Sequence, residues 1–195
     1  MNRFIYGFCL LWAGRLDDAR EQLAATLERA SHVGDVTLQS RCLTYLTLVH
    51  RKRGEVATVA QLAAQALRIA EAGGMIEYLA QANANLAWVA GRKEDMTHWK
   101  RHAEIAWELW QQLPAPGPYV PMAWIAAWPM LGLEVRRGGF EPALRLAAVL
   151  LEPDRQPMPI EVSSALSLAV EHKNVESATS HLLVAAQLAR RYGYV

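Results

Sequence analysis

Several things are scarce in this chain, and each scarcity closes off a class of protein. Only two of the 195 residues are cysteines, Cys9 and Cys42. Both fall within apolar helical patterns, which predicts small buried thiols in a reducing, cytoplasmic compartment and not a disulfide framework. One bridge between neighbouring helices is the alternative. Charge of one sign is scarce as well. With 20 basic and 19 acidic residues the formal charge is +1, which argues against nucleic acid as a direct partner, because that task needs a clear basic excess. No run alternates with period two between turn residues, so strands are not expected. Aromatics make up 8% of the chain, and glycine is confined to boundaries between apolar patterns. What remains is alanine-rich and leucine-rich sequence, 52% hydrophobic, a composition that favours helix.

Two apolar stretches invite a membrane reading and fail it. The opening MNRFIYGFCLLWAG has the basic-then-apolar order of a signal peptide but no small-x-small cleavage site. Leu113 to Leu133 carries no charge, yet Pro114, Pro116, Pro118 and Pro121 break its first half. A proline-rich loop followed by a deeply buried helix is expected there. No membrane partner or spanning segment is predicted.

What the chain does have is recurrence. In GRLDDAREQLAATLERA, Gly14 to Ala30, the residues Leu16, Ala19, Leu23, Leu27 and Ala30 share one face of a 3.6-residue period. The next matching turn is Gly54, forty positions on, with Val56, Val59, Ala63, Ala66 and Leu67. Another forty reach Glu94, with Met96, Trp99, Ala103, Ala106 and Trp107. Registering on Gly91 instead would put Lys93, Lys100 and Glu104 on the apolar face. Further copies follow Gly138 (Phe140, Ala143, Ala147, Leu150, Leu151) and run from Val175 (Ala178, Leu182, Ala185, Ala186). Each is preceded by another helix, among them Val36 to Lys52, Met75 to Ala90 and one starting around Pro159. Gly34 with Asp35, and Gly73 with Gly74, mark the stops between pairs. A fixed period of this size predicts stacked repeats that bury their faces only against neighbours. The expected architecture is all-α, a right-handed α-solenoid of about five antiparallel helix pairs over 1–34, 35–74, 75–113, 118–152 and 158–195. All of it forms one domain.

The motifs resemble the tetratricopeptide repeat family. Trp128, Leu131, Gly132 and Val135 match its first-helix pattern, and Gly14, Leu16, Ala19, Leu23 and Leu27 match its second. The period of about forty exceeds the family's usual thirty-four, and Trp99 stands where a small residue is usual. Helices one turn longer account for the period. This longer style is similar to the helical sensor regions of large bacterial transcriptional regulators and signalling ATPases. The resemblance implies a scaffold that binds a protein or peptide. It also implies that Trp88, with Phe8, Leu48 and Leu133 at corresponding positions, lines a concave groove. A superhelix tight enough to pack that stripe against itself is the competing arrangement.

The same helices finish in Arg51-Lys52-Arg53, Arg92-Lys93 and Arg136-Arg137, with Lys173 in the last pair. Cations at helix C-termini complement the macrodipole. In a solenoid they also align into a basic rim, which predicts an acidic, amphipathic partner. Gln81 and Asn85, one turn apart, could hydrogen-bond a peptide backbone. Phe4, Phe8, Leu11 and Trp12 make the first helix apolar almost all round. A terminal repeat normally shows a polar outer face, so these four residues predict self-association or a missing neighbour.

Chemistry is where the sequence is poorest. His98 and His102 are four apart, but Lys100 and Arg101 surround them, and the glutamate of a zinc-protease motif is absent. They are expected to be surface residues, and no metal or cofactor is called for. No phosphate loop, nucleophile elbow or paired-cysteine motif occurs. The expected function is non-catalytic binding of a protein or peptide through Leu48, Arg51, Lys52, Gln81, Asn85, Trp88, Arg92, Leu133, Arg136 and Arg137. The alternatives are an effector-sensing regulatory region of a larger protein, and an enzyme with an unrecognised site in the groove.

Overall fold

Left-handed backbone recurs at Gly14 (φ 76°), Gly54 (φ 71°) and Glu94 (φ 58°), the three turns that the forty-residue register aligns. It recurs again at Gly34 (φ 73°) and Gly74 (φ 61°), the two stops between pairs. This computed structural model describes residues 3–114, 120–172 and 174–195, with the main chain alone at 120 and 121. The described residues form ten α-helices and one 3-10 turn, with no strand. The first six helices are α1 (Arg3–Trp12), α2 (Leu16–Val33), α3 (Val36–Lys52), α4 (Val56–Gly73), α5 (Ile76–Arg92) and α6 (Met96–Gln111). Starts at Leu16, Val56 and Met96, and ends at Trp12, Lys52 and Arg92, keep the same period. The second half is less regular. A 3-10 turn (Val120–Ala123) leads into α7 (Trp124–Arg137), then come α8 (Phe140–Leu150), α9 (Ile160–Glu171) and α10 (Val175–Arg191).

Local chemistry fixes several of these boundaries. The Asp35 and Asp95 carboxylates accept hydrogen bonds from the main-chain N–H of Leu38 (2.9 Å) and His98 (3.1 Å), capping α3 and α6. Asn174 does the same for α10 through Glu176 N (2.8 Å). Past α2, the Asp35 N–H reaches back to Ala30 O (2.9 Å) across Gly34, a closure that needs a left-handed residue.

Each helix packs against the next in the chain, and α1–α3, α3–α5 and α5–α7 also meet. The odd helices therefore form an inner layer. Ten residues of α3, eleven of α5 and ten of α7 are buried, spread around each helix. In contrast α2 buries one stripe, Ala19, Leu23, Thr26 and Ala30, and α4 buries Val59, Ala63, Ala66 and Ala70 at the equivalent places. Small residues dominate these stripes, so the outer helices sit close to the inner ones.

Three expectations need adjustment. The first position of the register is exposed at Met96 (37%) and Val175 (72%), because it falls on the first helical residue, short of the neighbouring helix. Trp99 is accommodated because α5 and α7 present glycines to it. A Cβ on Gly91 or on Gly132 would lie 3.2 Å from its ring. The indole N–H of Trp99 donates to Pro129 O at 2.9 Å. Finally, only Cys42 is buried. Cys9 is exposed on the outer side of α1, and both thiols are free.

In the uncharged Leu113–Leu133 stretch, Pro116 and Pro118 lie outside the described residues. Its second half is the deeply buried helix expected, with Trp124 to Leu133 of α7 buried except Met130. No helix among the described residues is long and apolar enough to cross a membrane.

Candidate functional site

The last three residues of the basic run Arg51-Lys52-Arg53 have three different fates. Arg53 turns outward to the carboxylates of Asp17 and Glu55. Lys52 is half-buried, its Nζ 5.6 Å from the centre of the Trp12 ring and 5.8 Å from that of Tyr194. Arg51 is fully buried, at 1% exposure. Its Nη1–H donates to Asn85 Oδ1 (2.9 Å), its Nε–H to Gly193 O (3.2 Å) and its Nη2–H to Tyr194 O (2.8 Å). The guanidinium carbon lies 5.4 Å from the Trp88 ring centre and 5.7 Å from that of Trp124.

A buried cation normally demands an anion. Here the partner is the end of another helix. α10 packs against α7, α8 and α9, and its last residues return to the concave side of the inner layer. Arg92 Nη2–H donates to Arg190 O (3.1 Å), one turn before the carbonyls that Arg51 holds. Together the two arginines satisfy the free carbonyls at the negative end of the α10 dipole. Among the described residues no carboxylate lies within 4.0 Å of Arg51, Lys52 or Arg92.

The electrostatics follow from that. Burial, with Arg92 beside it, pushes the Arg51 pKa down to about 9, still high enough to keep the charge at neutral pH. Burial and then Arg51 lower Lys52, and burial and then Arg190 lower Arg92. Burial raises the Tyr194 phenol, against the pull of Arg51.

Gly193, Tyr194 and Val195 close the channel. Gly193 has φ +77°, and a Cβ there would lie 3.0 Å from Arg51 O, so both conformation and space call for glycine. The Tyr194 ring meets Trp124 edge-on (4.9 Å between centroids) and stacks near Trp128 (6.0 Å, 25°). Val195 rests against Gly132, where an added Cβ would lie 2.9 Å from it. Beyond Val195 a cavity of about 300 Å³ continues between the α5–α6 turn, α7 and α10.

The residues expected to line a groove are thus partly gathered. Arg51, Lys52, Asn85, Trp88 and Arg92 converge, and Trp12 joins them through Lys52. Leu48, Trp88 and Leu133 are buried and form no open floor in this conformation. Arg136 is exposed and borders the 300 Å³ cavity, with Glu94 and Arg190. Arg137 points to Glu134 (3.4 Å) and lies outside the cluster. Gln81 is buried and donates to Glu77 Oε1 (3.0 Å). Lys173 is outside the described residues.

The four apolar residues of α1 turn inward. Phe4 and Leu11 are buried, and Phe8 and Trp12 are half-buried. Phe4 and Phe8 pack on Tyr45 (5.6 and 5.1 Å), and Trp12 packs on Trp124 (6.3 Å). The apolar residues that α1 shows to solvent are Ile5 (50%) and Tyr6 (36%).

The sequence analysis missed a second recess of about 230 Å³, where Phe4 and Phe8 face Arg41, Tyr45, Glu77 and Tyr78. The Arg41 Nε–H donates to Tyr78 Oη (3.0 Å). Burial raises the Glu77 carboxyl and pushes the Tyr45 phenol up to about 12. The signal was available: Arg41 and Gln81, like Tyr45 and Asn85, are forty positions apart on the inner helices.

His98 and His102 stack at 6.4 Å, with His98 Nδ1 2.6 Å from Asp95 Oδ2 and His102 Nδ1 2.9 Å from Asn83 Oδ1. Among the described residues no group of three or more histidine, cysteine, aspartate or glutamate side chains is placed to hold a metal ion. Compared with known protein families and with curated proteins, the chain matches none.

Proposed function

We propose that this chain is a tetratricopeptide-like scaffold, a right-handed α-solenoid of five helix pairs that binds a protein or peptide and performs no chemistry of its own. The observation that carries the reading is the convergence of Arg51, Lys52 and Arg92 on an aromatic concave face with no carboxylate among them. A surface of that kind attracts an acidic, amphipathic segment, because only such a partner brings both the charge and the apolar area. The forty-residue recurrence supports the pairwise repeat. The two free thiols support a cytoplasmic setting.

A regulatory region within a larger protein is the second reading. It is favoured by one feature: the end of α10 is tied to α3 and α5, far away in the sequence. A ligand that loosens that tie would change how the inner helices stack, which is a two-state element of the kind a sensor needs.

Panning a random dodecapeptide library against the folded protein tests the first reading. Acidic, amphipathic sequences should be enriched, and their affinity should fall at least about tenfold in an Arg92→Glu, Arg136→Glu variant, a change of about 1.4 kcal/mol. An unselected output, or equal binding to the charge-reversed protein, would reject it.

A further inference from the structure

The concave channel is occupied, and its occupant shows what it accepts. We propose that the channel is a receptor for an extended peptide segment carrying an aromatic side chain followed by an aliphatic one, and that Gly193–Val195 holds this seat as an intramolecular competitor. This rests on the peptide-binding reading above and adds the partner's anchor and the means by which it is excluded.

Three observations support it. First, the seat is built from distant parts of the chain. Trp124 and Trp128 of α7 flank the Tyr194 ring, and Lys52 of α3 lies over it. Arg51 holds two successive main-chain carbonyls beside that ring. Carbonyl pairs and one aromatic group are features that any extended segment of the right sequence can present.

Second, the tail leaves donors of the channel unused. The indole N–H groups of Trp12, Trp88 and Trp128, and the Nε–H of Arg92, are buried and have no hydrogen-bond partner. Buried donors without acceptors are rare in folded proteins. Every unmatched group here is a donor, next to cations that lack a carboxylate. A ligand richer in acceptors than three residues of main chain would satisfy more of the site than the tail does.

Third, the tail can leave without dismantling the fold. It is the last stretch beyond α10, and that helix keeps its own packing against α7, α8 and α9. The 300 Å³ cavity past Val195 gives a longer segment room to continue along the same line. A tether this short holds the tail at an effective concentration on the order of millimolar, so an external segment competes poorly until the tail is weakened.

The test uses a fluorescein-labelled, C-terminally amidated peptide with the sequence of residues 192–195, read by anisotropy against the full chain. It should bind Tyr194→Ala at least about tenfold more tightly than wild type, and a probe with its second tyrosine changed to alanine should not bind. Val195→Glu, which loosens the tail from its far end and leaves the tyrosine seat intact, should show the same direction; circular dichroism melting checks the fold of both. Equal affinity for wild type and both variants, or binding that ignores the probe's tyrosine, overturns the proposal. A wild-type dimer that Tyr194→Ala dissociates would place the tail in a second copy and overturn the partner assigned here. Library ligands that lack an aromatic residue and bind wild type and Tyr194→Ala equally would sink this proposal and leave the peptide-binding reading standing. A library that yields no ligand for either protein would remove both.

Discussion

The guanidinium of Arg51 donates a 2.8 Å hydrogen bond to the carbonyl of Tyr194, a residue 143 positions away. Few contacts in the molecule span more of the chain. It ties the end of the last helix to the end of α3 and converts a concave surface into a filled channel. Arg51 binds through geometry, with three acceptors placed around one planar fork.

Arg51→Lys is therefore not a conservative change. A single ammonium cannot reach Asn85 Oδ1 and both carbonyls, so at least one buried acceptor is left unpaired, at a cost of about 1–3 kcal/mol. The expected outcome is a lower Tm together with faster amide exchange at residues 193–195. Unchanged exchange in the tail would show that Arg51 does not hold it.

Gly132→Ala tests the same contact from the opposite side. The new methyl would meet Val195 at 2.9 Å and the Trp99 ring at 3.2 Å. Overpacking costs about 1–3 kcal/mol, more than the roughly 0.5–1 kcal/mol that alanine gains over glycine within a helix. Stability should fall, and a second change, Val195→Gly, should recover part of the loss by emptying the contested space. Additive losses in the double variant would contradict this packing.

Glu94 is the residue that repays a change. It adopts φ 58° where the equivalent turns have Gly14 and Gly54. Relieving a left-handed side-chain residue is worth about 1 kcal/mol, so Glu94→Gly should raise the urea midpoint without altering the slope. A lower midpoint would mean that the forty-residue turns are not equivalent.

That turn also shows how far the sequence could be read. Leu16, Val56 and Met96 reveal the register, because a helical period repeats at equal offsets whatever the partner. The stripe Val59, Ala63, Ala66 was legible for the same reason. The fate of Arg51 was not. In sequence, Arg51-Lys52-Arg53 looks like any solvated cationic helix end, and only the return of α10 decides which of the three is buried. The tail itself has no pattern to read: Gly193, Tyr194 and Val195 are too few to show a period. Phe4 and Leu11 read correctly as apolar, but which way α1 turned depended on Tyr45 of α3.

The two thiols should separate cleanly. Cys9 is exposed, while Cys42 is buried and burial pushes its pKa up to about 12. An aromatic disulfide reagent at pH 8 should titrate one thiol in the native protein and the second only after denaturation. Two fast-reacting thiols would contradict the burial of Cys42.

Acid should weaken the fold partly through His102. Burial first, then Arg101 and His98, lower its pKa below the ordinary 6.5. A histidine with a depressed folded pKa takes up its proton more readily when unfolded. Its contribution is therefore intact above about pH 6.5 and is lost as pH falls through that value. His102→Gln should lose less stability than wild type between pH 7 and pH 5. A larger loss in the variant would reverse the sign argued here.

The most direct measurement follows the Tyr194 ring by nuclear Overhauser contacts to Trp124 and Trp128, in the protein alone and saturated with a library-selected peptide. The account predicts strong contacts in the free protein that vanish on saturation, while the contact between Phe4 and Tyr45 persists. Contacts from Tyr194 that survive saturation would place the ligand elsewhere and contradict the channel as the binding site.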